Sequence, residues 1–146
     1  YLLKNKALPF LTKWDFEKQE VAYGNNRFDF QLKNRKNKMI LEVKSVTLVE
    51  NGIAKFPDAV TERGRRHVEH LAKIRSKNLE TMVLFVIQRP DAIYFEPQWE
   101  RDPKFSNALV EAQRKGLQIK VIKMKMTQKS FIYMGELPYE LKLGQK

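Results

Sequence analysis

The chain has 146 residues, no cysteine, and 28 Lys and Arg against 17 Asp and Glu, for a formal charge of +11. That length suits one domain able to bury most of an ordinary core. The missing thiols exclude disulfides, thiolate zinc sites and cysteine nucleophiles, and the charge favours polyanionic partners, nucleic acid before membrane. No apolar run is long enough to cross a bilayer and Tyr1-Leu2-Leu3-Lys4 lacks the layout of a secretory signal, so a cytoplasmic protein without a membrane partner is expected. A start at Tyr1 rather than Met reads as a trimmed chain.

In chain order, Leu2, Leu3, Ala7, Leu8, Phe10 and Leu11 predict a short packing helix bent at Pro9. A strand is expected around Glu20-Val21-Ala22-Tyr23, closed by the turn residues Gly24-Asn25-Asn26. Glu20 is an accessory candidate for a metal site, although a lone strand glutamate is usually solvated. In the next run, Arg27-Phe28-Asp29-Phe30, period two places Phe28, Phe30 and Leu32 on one face and Asp29 on the other. The polar spacer Asn34-Arg35-Lys36-Asn37-Lys38 turns the chain back, and Met39 to Ser45 then form a neighbouring antiparallel strand. On it Glu42 and Lys44 point to one side, where Asp29 can approach Glu42.

Two carboxylates and an amine thus meet at one place. Adjacent ionised carboxylates repel, and the usual reliefs are a shared proton or a hard cation such as Mg²⁺, which takes oxygen ligands and keeps several waters. Asp29 and Glu42 are the candidate ligands for Mg²⁺ or Mn²⁺. An ammonium beside them, Lys44, can position a water or steady charge on a phosphoryl oxygen, so Asp29, Glu42 and Lys44 are the candidate catalytic residues for phosphodiester hydrolysis. An exposed cross-strand salt bridge accounts for Glu42 and Lys44 equally well, and Glu140-Leu141-Lys142 repeats the spacing with no partner carboxylate.

The run from Met39 to Val49 reads as one long strand ending at Glu50-Asn51-Gly52, and Ile53 to Asp58 is extended ahead of a proline. With Asp58 as N-cap, a helix is expected from Ala59 to Lys77. Val60, Gly64, Val68, Leu71 and Ile74 form its apolar face, and Arg63, Arg66, His70, Lys73 and Lys77 a basic one. Most charged stripes are solvated surface, but a row of nearly one sign repels itself unless an anion lies nearby, so Arg63, Arg66, His67, His70 and Lys73 are candidates for phosphate-backbone contact, with a plain solvated face as the alternative. His67 and His70 lack zinc-protease spacing and are basic contacts or packed rings, not metal ligands.

Met82 to Gln88 is an apolar run expected as a central strand buried on both faces, and Gln88 at its polar end is a second accessory candidate. A short strand over Ala92 to Phe95 follows. Asp102-Pro103 opens a second helix that ends at Gly116. Ile119 to Met126 reads as a strand, Phe131 to Tyr133 pairs once more, and the tail ends in the polar Gly144-Gln145-Lys146.

Val43-Lys44-Ser45-Val46-Thr47-Leu48 and Ala54-Lys55-Phe56-Pro57-Asp58-Ala59-Val60-Thr61-Glu62-Arg63-Gly64, with His67 after it, closely resemble the sugar fermentation stimulation protein family. The likeness continues through Arg27 to Phe30, Phe85 to Arg89, Asp102-Pro103 and Gly116. It implies an α/β domain with a mixed central sheet flanked by helices, like that of PD-(D/E)XK nucleases. It also implies DNA binding and a regulatory link to sugar (maltose) catabolism, including regulation of transcription. In members of this kind the domain follows an N-terminal OB-like domain, so residues 1–146 are expected to be a single nuclease-like domain without it. By the same resemblance Asp29 matches the first motif acid, Glu42 the second and Lys44 the motif lysine, with Phe28 where the motif has proline. The expected partner is double-stranded DNA read with weak sequence preference. The expected function is a metal-dependent nuclease or, as the alternative, a non-catalytic DNA-binding regulator.

Overall fold

The computed structural model of the chain describes residues 2–142, and the polar tail Gly144-Gln145-Lys146 lies outside them. An antiparallel meander opens the domain: β1 (Asp15–Tyr23), β2 (Asn26–Asn34) and β3 (Asn37–Val46). Its two tight turns contain left-handed residues, Gly24 and Arg35, each at φ 57°. Beyond β3 the pairing becomes parallel, first to β6 (Leu79–Ile87) and then to β8 (Gln118–Met126), and β9 (Phe131–Glu136) closes the edge antiparallel to β8. The result is a six-stranded mixed sheet in the order β1-β2-β3-β6-β8-β9. The apolar run expected at its centre is β6, buried continuously from Thr81 to Ile87.

The long strand expected from Met39 to Val49 divides at Thr47. Its end, β4 (Leu48–Glu50), pairs with β5 (Ile53–Phe56), and β5 pairs in parallel with β7 (Tyr94–Pro97), making a separate three-stranded sheet. Parallel neighbours need crossovers, and the two helices supply them: α1 (Glu62–Ile74) between β3 and β6, and α2 (Pro103–Arg114) between β6 and β8. Both pack on one face of the large sheet, where Val68, Leu71, Phe105 and Leu109 join Ile40, Val83, Phe85 and Val121 in a single core. Each such fully buried side chain contributes about 1.5–3 kcal/mol of transfer free energy.

The opposite face is covered by Leu8, Leu11 and Trp14 over Leu32, Met39, Leu41 and Leu84. The helix expected there is a single 3-10 turn, Pro9–Leu11, preceded by turns. Packing is its role, as the apolar residues imply, but proline and so short a segment leave no room for an α-helix.

Two further expectations are corrected. Helix α1 begins at Glu62, not Ala59, because its cap is Thr61, whose hydroxyl accepts the Gly64 N–H at 2.9 Å. Thr61 is itself fixed by Asp102, whose Oδ2 accepts the Thr61 N–H at 2.8 Å while Oδ1 accepts that of Phe105 at 3.0 Å. One buried carboxylate therefore serves the N-termini of both helices. Asp58 stays outside the helix, Val60 is 67% exposed rather than on the apolar face, and the helix stops before Lys77. The second correction concerns β2: Phe30 and Leu32 pack beneath the N-terminal segment, whereas Phe28 packs on the helix side. Alternation breaks at Asp29, where β2 leaves the β3 ladder and its N–H goes to the Glu42 side chain; opposite it on β1, Glu20 adopts φ 57° and is unpaired between Gln19↔Phe30 and Val21↔Phe28.

Candidate metal and nucleic-acid site

The candidate site forms where β2 and β3 part. Their ladder runs from Asn34↔Asn37 to Phe30↔Leu41, and the next opposed residues in that register are Asp29 and Glu42. Side chains replace the ladder there: the Asp29 N–H donates to Glu42 Oε1 at 3.2 Å, and the Val43 N–H donates to Asp29 Oδ2 at 2.7 Å. Each carboxylate is thus held by the other strand's backbone. The sequence-predicted pair is brought together, and Lys44 joins it, with Nζ 3.2 Å from Glu42 Oε2 and the side chain only 13% exposed.

Sequence reasoning missed the third contact to Glu42. His67, expected among the phosphate contacts, is 3% exposed and places Nδ1 2.6 Å from Glu42 Oε2. A carboxylate only accepts, so Nδ1 carries the hydrogen. The signal was present in the helix pattern, since His67 stands in the row of Gly64, Leu71 and Ile74, which faces the sheet.

Electrostatics agree with a strained cluster. Burial, together with the facing Glu42 carboxylate, pushes Asp29 up from 3.8 to about 6, against the opposing help of the Val43 N–H and Lys44. Burial first, then the cations Lys44 and Arg63, with Arg66 adding less, lower His67 from 6.5 to about 4, opposed by Asp29. The ring is neutral at physiological pH and still donates to Glu42.

Asp29 and Glu42 are the residues able to hold a cation. Among the described residues no three His, Cys, Asp or Glu side chains form a ready ligand set. Two hard oxygen donors whose like charge Lys44 relieves only in part nevertheless fit an ion that takes one or two carboxylates and completes its shell with water. The accessory candidates do not join them. Glu20 is exposed and makes no hydrogen bond or ion pair with Asp29 or Glu42, and Gln88, exposed beyond the end of β6, rims an apolar cleft with Leu41, Val43 and Val86.

Helix α1 carries its basic row beside this group. Arg63, Arg66 and Lys73 are exposed, with Arg66 3.9 Å from Glu62. His70 is tied back instead, with Nδ1 2.7 Å from the Asn26 amide and its ring 5.6 Å from that of Phe28. It fixes the β1–β2 turn against α1. Between them lies an open groove of about 430 Å³ lined by Gly24, Asn25, Asn26, Arg66, His70 and Lys73, with the acidic Glu69 among them. No helix among the described residues is long and apolar enough to cross a membrane.

The chain matches the family described as "Sugar fermentation stimulation protein RE domain" over residues 1–130. It is 42% identical over 125 residues to a sugar fermentation stimulation protein homolog of Natranaerobius thermophilus, covering 85% of this chain and 52% of that one. A homolog of Pyrobaculum islandicum is 42% identical over 132 residues, covering 90% and 57% respectively. The structure of Pyrococcus furiosus SfsA in complex with Ca²⁺ superposes with a TM-score of 0.86 at 31% identity, covering 95% of this chain and 61% of that one. The chain therefore spans between about half and three-fifths of the length of these relatives. The mixed α/β architecture expected from the resemblance is the one observed, with both helices on one face of the sheet. Profile, sequence and fold agree, and the chain belongs to the sugar fermentation stimulation protein family.

Proposed function

We propose that this domain binds nucleic acid, double-stranded DNA first, through its sugar-phosphate backbone, and hydrolyses phosphodiester bonds with a divalent cation held by Asp29 and Glu42. The observation that carries the reading is the replacement of the β2–β3 ladder by the Asp29 and Glu42 carboxylates, with Lys44 against the same group. A protein that used these residues only to pair strands would continue the ladder. The Pyrococcus relative was solved in complex with Ca²⁺, which supports divalent-cation binding as a property to test in this chain; Mg²⁺ or Mn²⁺ is the working ion of the proposal.

When bound, the ion supplies positive charge beside the scissile phosphate. The chain's own residues do the rest. Arg63, Arg66 and Lys73 hold the backbone, with little reading of base sequence. Asp29 and Glu42 fix the ion's place, and the Lys44 ammonium orients the attacking water and steadies charge on a phosphoryl oxygen. A cytoplasmic setting and a part in controlling sugar use belong to this same proposal.

One observation favours the second reading, a binding module without catalysis. Glu42 Oε2 is already occupied by Lys44 and His67, so the cluster is partly neutralised from within. Cleavage of supercoiled plasmid and of a short RNA with Mg²⁺ or Mn²⁺ separates the two. Metal-dependent nicking that disappears in Asp29→Ala and Lys44→Ala supports hydrolysis. Retarded but intact DNA, alike in all three proteins, makes the domain a binder.

A further inference from the structure

From the geometry around Glu42 we infer that His67 is a positioning residue for the cation site: it pins one carboxylate oxygen so that the other stays turned toward Asp29. The inference rests on the metal-site reading above and adds a residue to it.

Glu42 has two oxygens and three donors. Oε2 takes the His67 Nδ1 at 2.6 Å and the Lys44 Nζ at 3.2 Å, and Oε1 takes the Asp29 N–H at 3.2 Å. Lys44 is the donor that the proposed mechanism turns toward substrate, and both its bond and that of the Asp29 N–H are longer, at 3.2 Å. The short bond from a buried ring is the contact that sets the rotation of the carboxylate. His67 is itself immobile, 3% exposed, with its ring edge-on to Phe28 at 5.4 Å between centroids. It sits on α1, four residues after Arg63 and one after Arg66, so the helix that presents the basic row also holds the acid. Partners that orient a metal ligand typically change metal affinity by about 10–100-fold when removed.

The donor's position, not the bulk of the ring, is what matters here. Asparagine places its amide N–H near the position of Nδ1, whereas glutamine places it near Nε2. The test is titration calorimetry of Mn²⁺ into the full chain, comparing wild type, His67→Asn, His67→Gln and Glu42→Gln, with thermal melts of the same metal-free samples. The expected result is a Glu42-dependent site whose affinity survives in His67→Asn and falls about tenfold or more in His67→Gln. A merely structural histidine would lower both melting temperatures and leave the affinities together. Equal Mn²⁺ affinity in wild type and both His67 variants, with Glu42→Gln weakened, overturns the inference and leaves the metal site standing. No Mn²⁺ bound by the wild type overturns both.

Discussion

The N–H of Val43 donates to Asp29 Oδ2 at 2.7 Å, so a strand donor that would otherwise meet a carbonyl across the β2–β3 pair ends on a carboxylate. This cross-strand bond holds Asp29 in place opposite Glu42 despite their like charge. It makes the stability of the domain sensitive to which group replaces Asp29.

Asn and Ala should therefore behave differently at this position. Asparagine keeps an acceptor for Val43 and removes the repulsion, so Asp29→Asn is expected to be at least as stable as wild type at pH 8. Alanine orphans the donor and should cost about 1–2 kcal/mol. Urea unfolding of the three proteins at pH 8 measures this; a common loss in both variants would show that the repulsion from Glu42 is immaterial.

Between pH 4 and 6.5 two titrations oppose each other. The folded chain keeps a proton on Asp29 up to about 6 where the unfolded chain releases it near 3.8, so that contribution is lost as pH rises. His67 stays neutral down to about 4 where the unfolded chain protonates near 6.5, so that contribution is lost as pH falls. Near pH 5 the two nearly cancel, and wild-type stability should be flat with respect to this pair. Asp29→Asn should then lose stability on acidification from 6.5 to 4, and His67→Asn on raising pH from 4 to 6. Melting curves across this range give the two slopes, and slopes of the same sign would refute the assignment.

The exposed cations of α1 should govern affinity without governing sequence preference. Replacing Arg63, Arg66 and Lys73 together by alanine removes up to three phosphate contacts, so the slope of log K against log salt should fall by about 2.7. Affinity for unrelated duplexes should drop together, by at least about tenfold at low salt. Fluorescence anisotropy at several salt concentrations reports both, and an unchanged slope removes α1 from the interface.

Asp102 binds the Thr61 and Phe105 N–H groups, and its variant should be more damaging than loss of a single cap. Thr61→Ala is expected to cost about 1 kcal/mol, and Asp102→Ala about 2–4 kcal/mol because two helix starts are left unpaired in a buried place. Similar losses in the two variants would mean that Asp102 serves only its own helix.

The sequence made the Asp29, Glu42 and Lys44 group legible because each condition for it is local. Period two, a polar turn and a short hairpin suffice to oppose two side chains. What lay outside local pattern was missed. His67 reads as one more basic residue until the fold shows that its helical row faces the sheet, and Phe28 parts from the face of Phe30 at Asp29, where β2 leaves the β3 ladder. Asp102 was legible as the start of α2, but its bond to Thr61 spans 41 residues and appears only once both helices lie side by side. The start of α1 was misplaced for the same reason: Asp58 is a good cap by type, and a distant carboxylate gives that place to Thr61.

The central claim is that Asp29 and Glu42 form a divalent-cation site, and anomalous scattering from a Mn²⁺-soaked crystal of this chain tests it most directly. The account predicts a peak between the two carboxylates, with oxygen distances of roughly 2.0–2.3 Å and water in the remaining positions. A peak elsewhere with this pair empty, or no peak at saturating Mn²⁺, would contradict it.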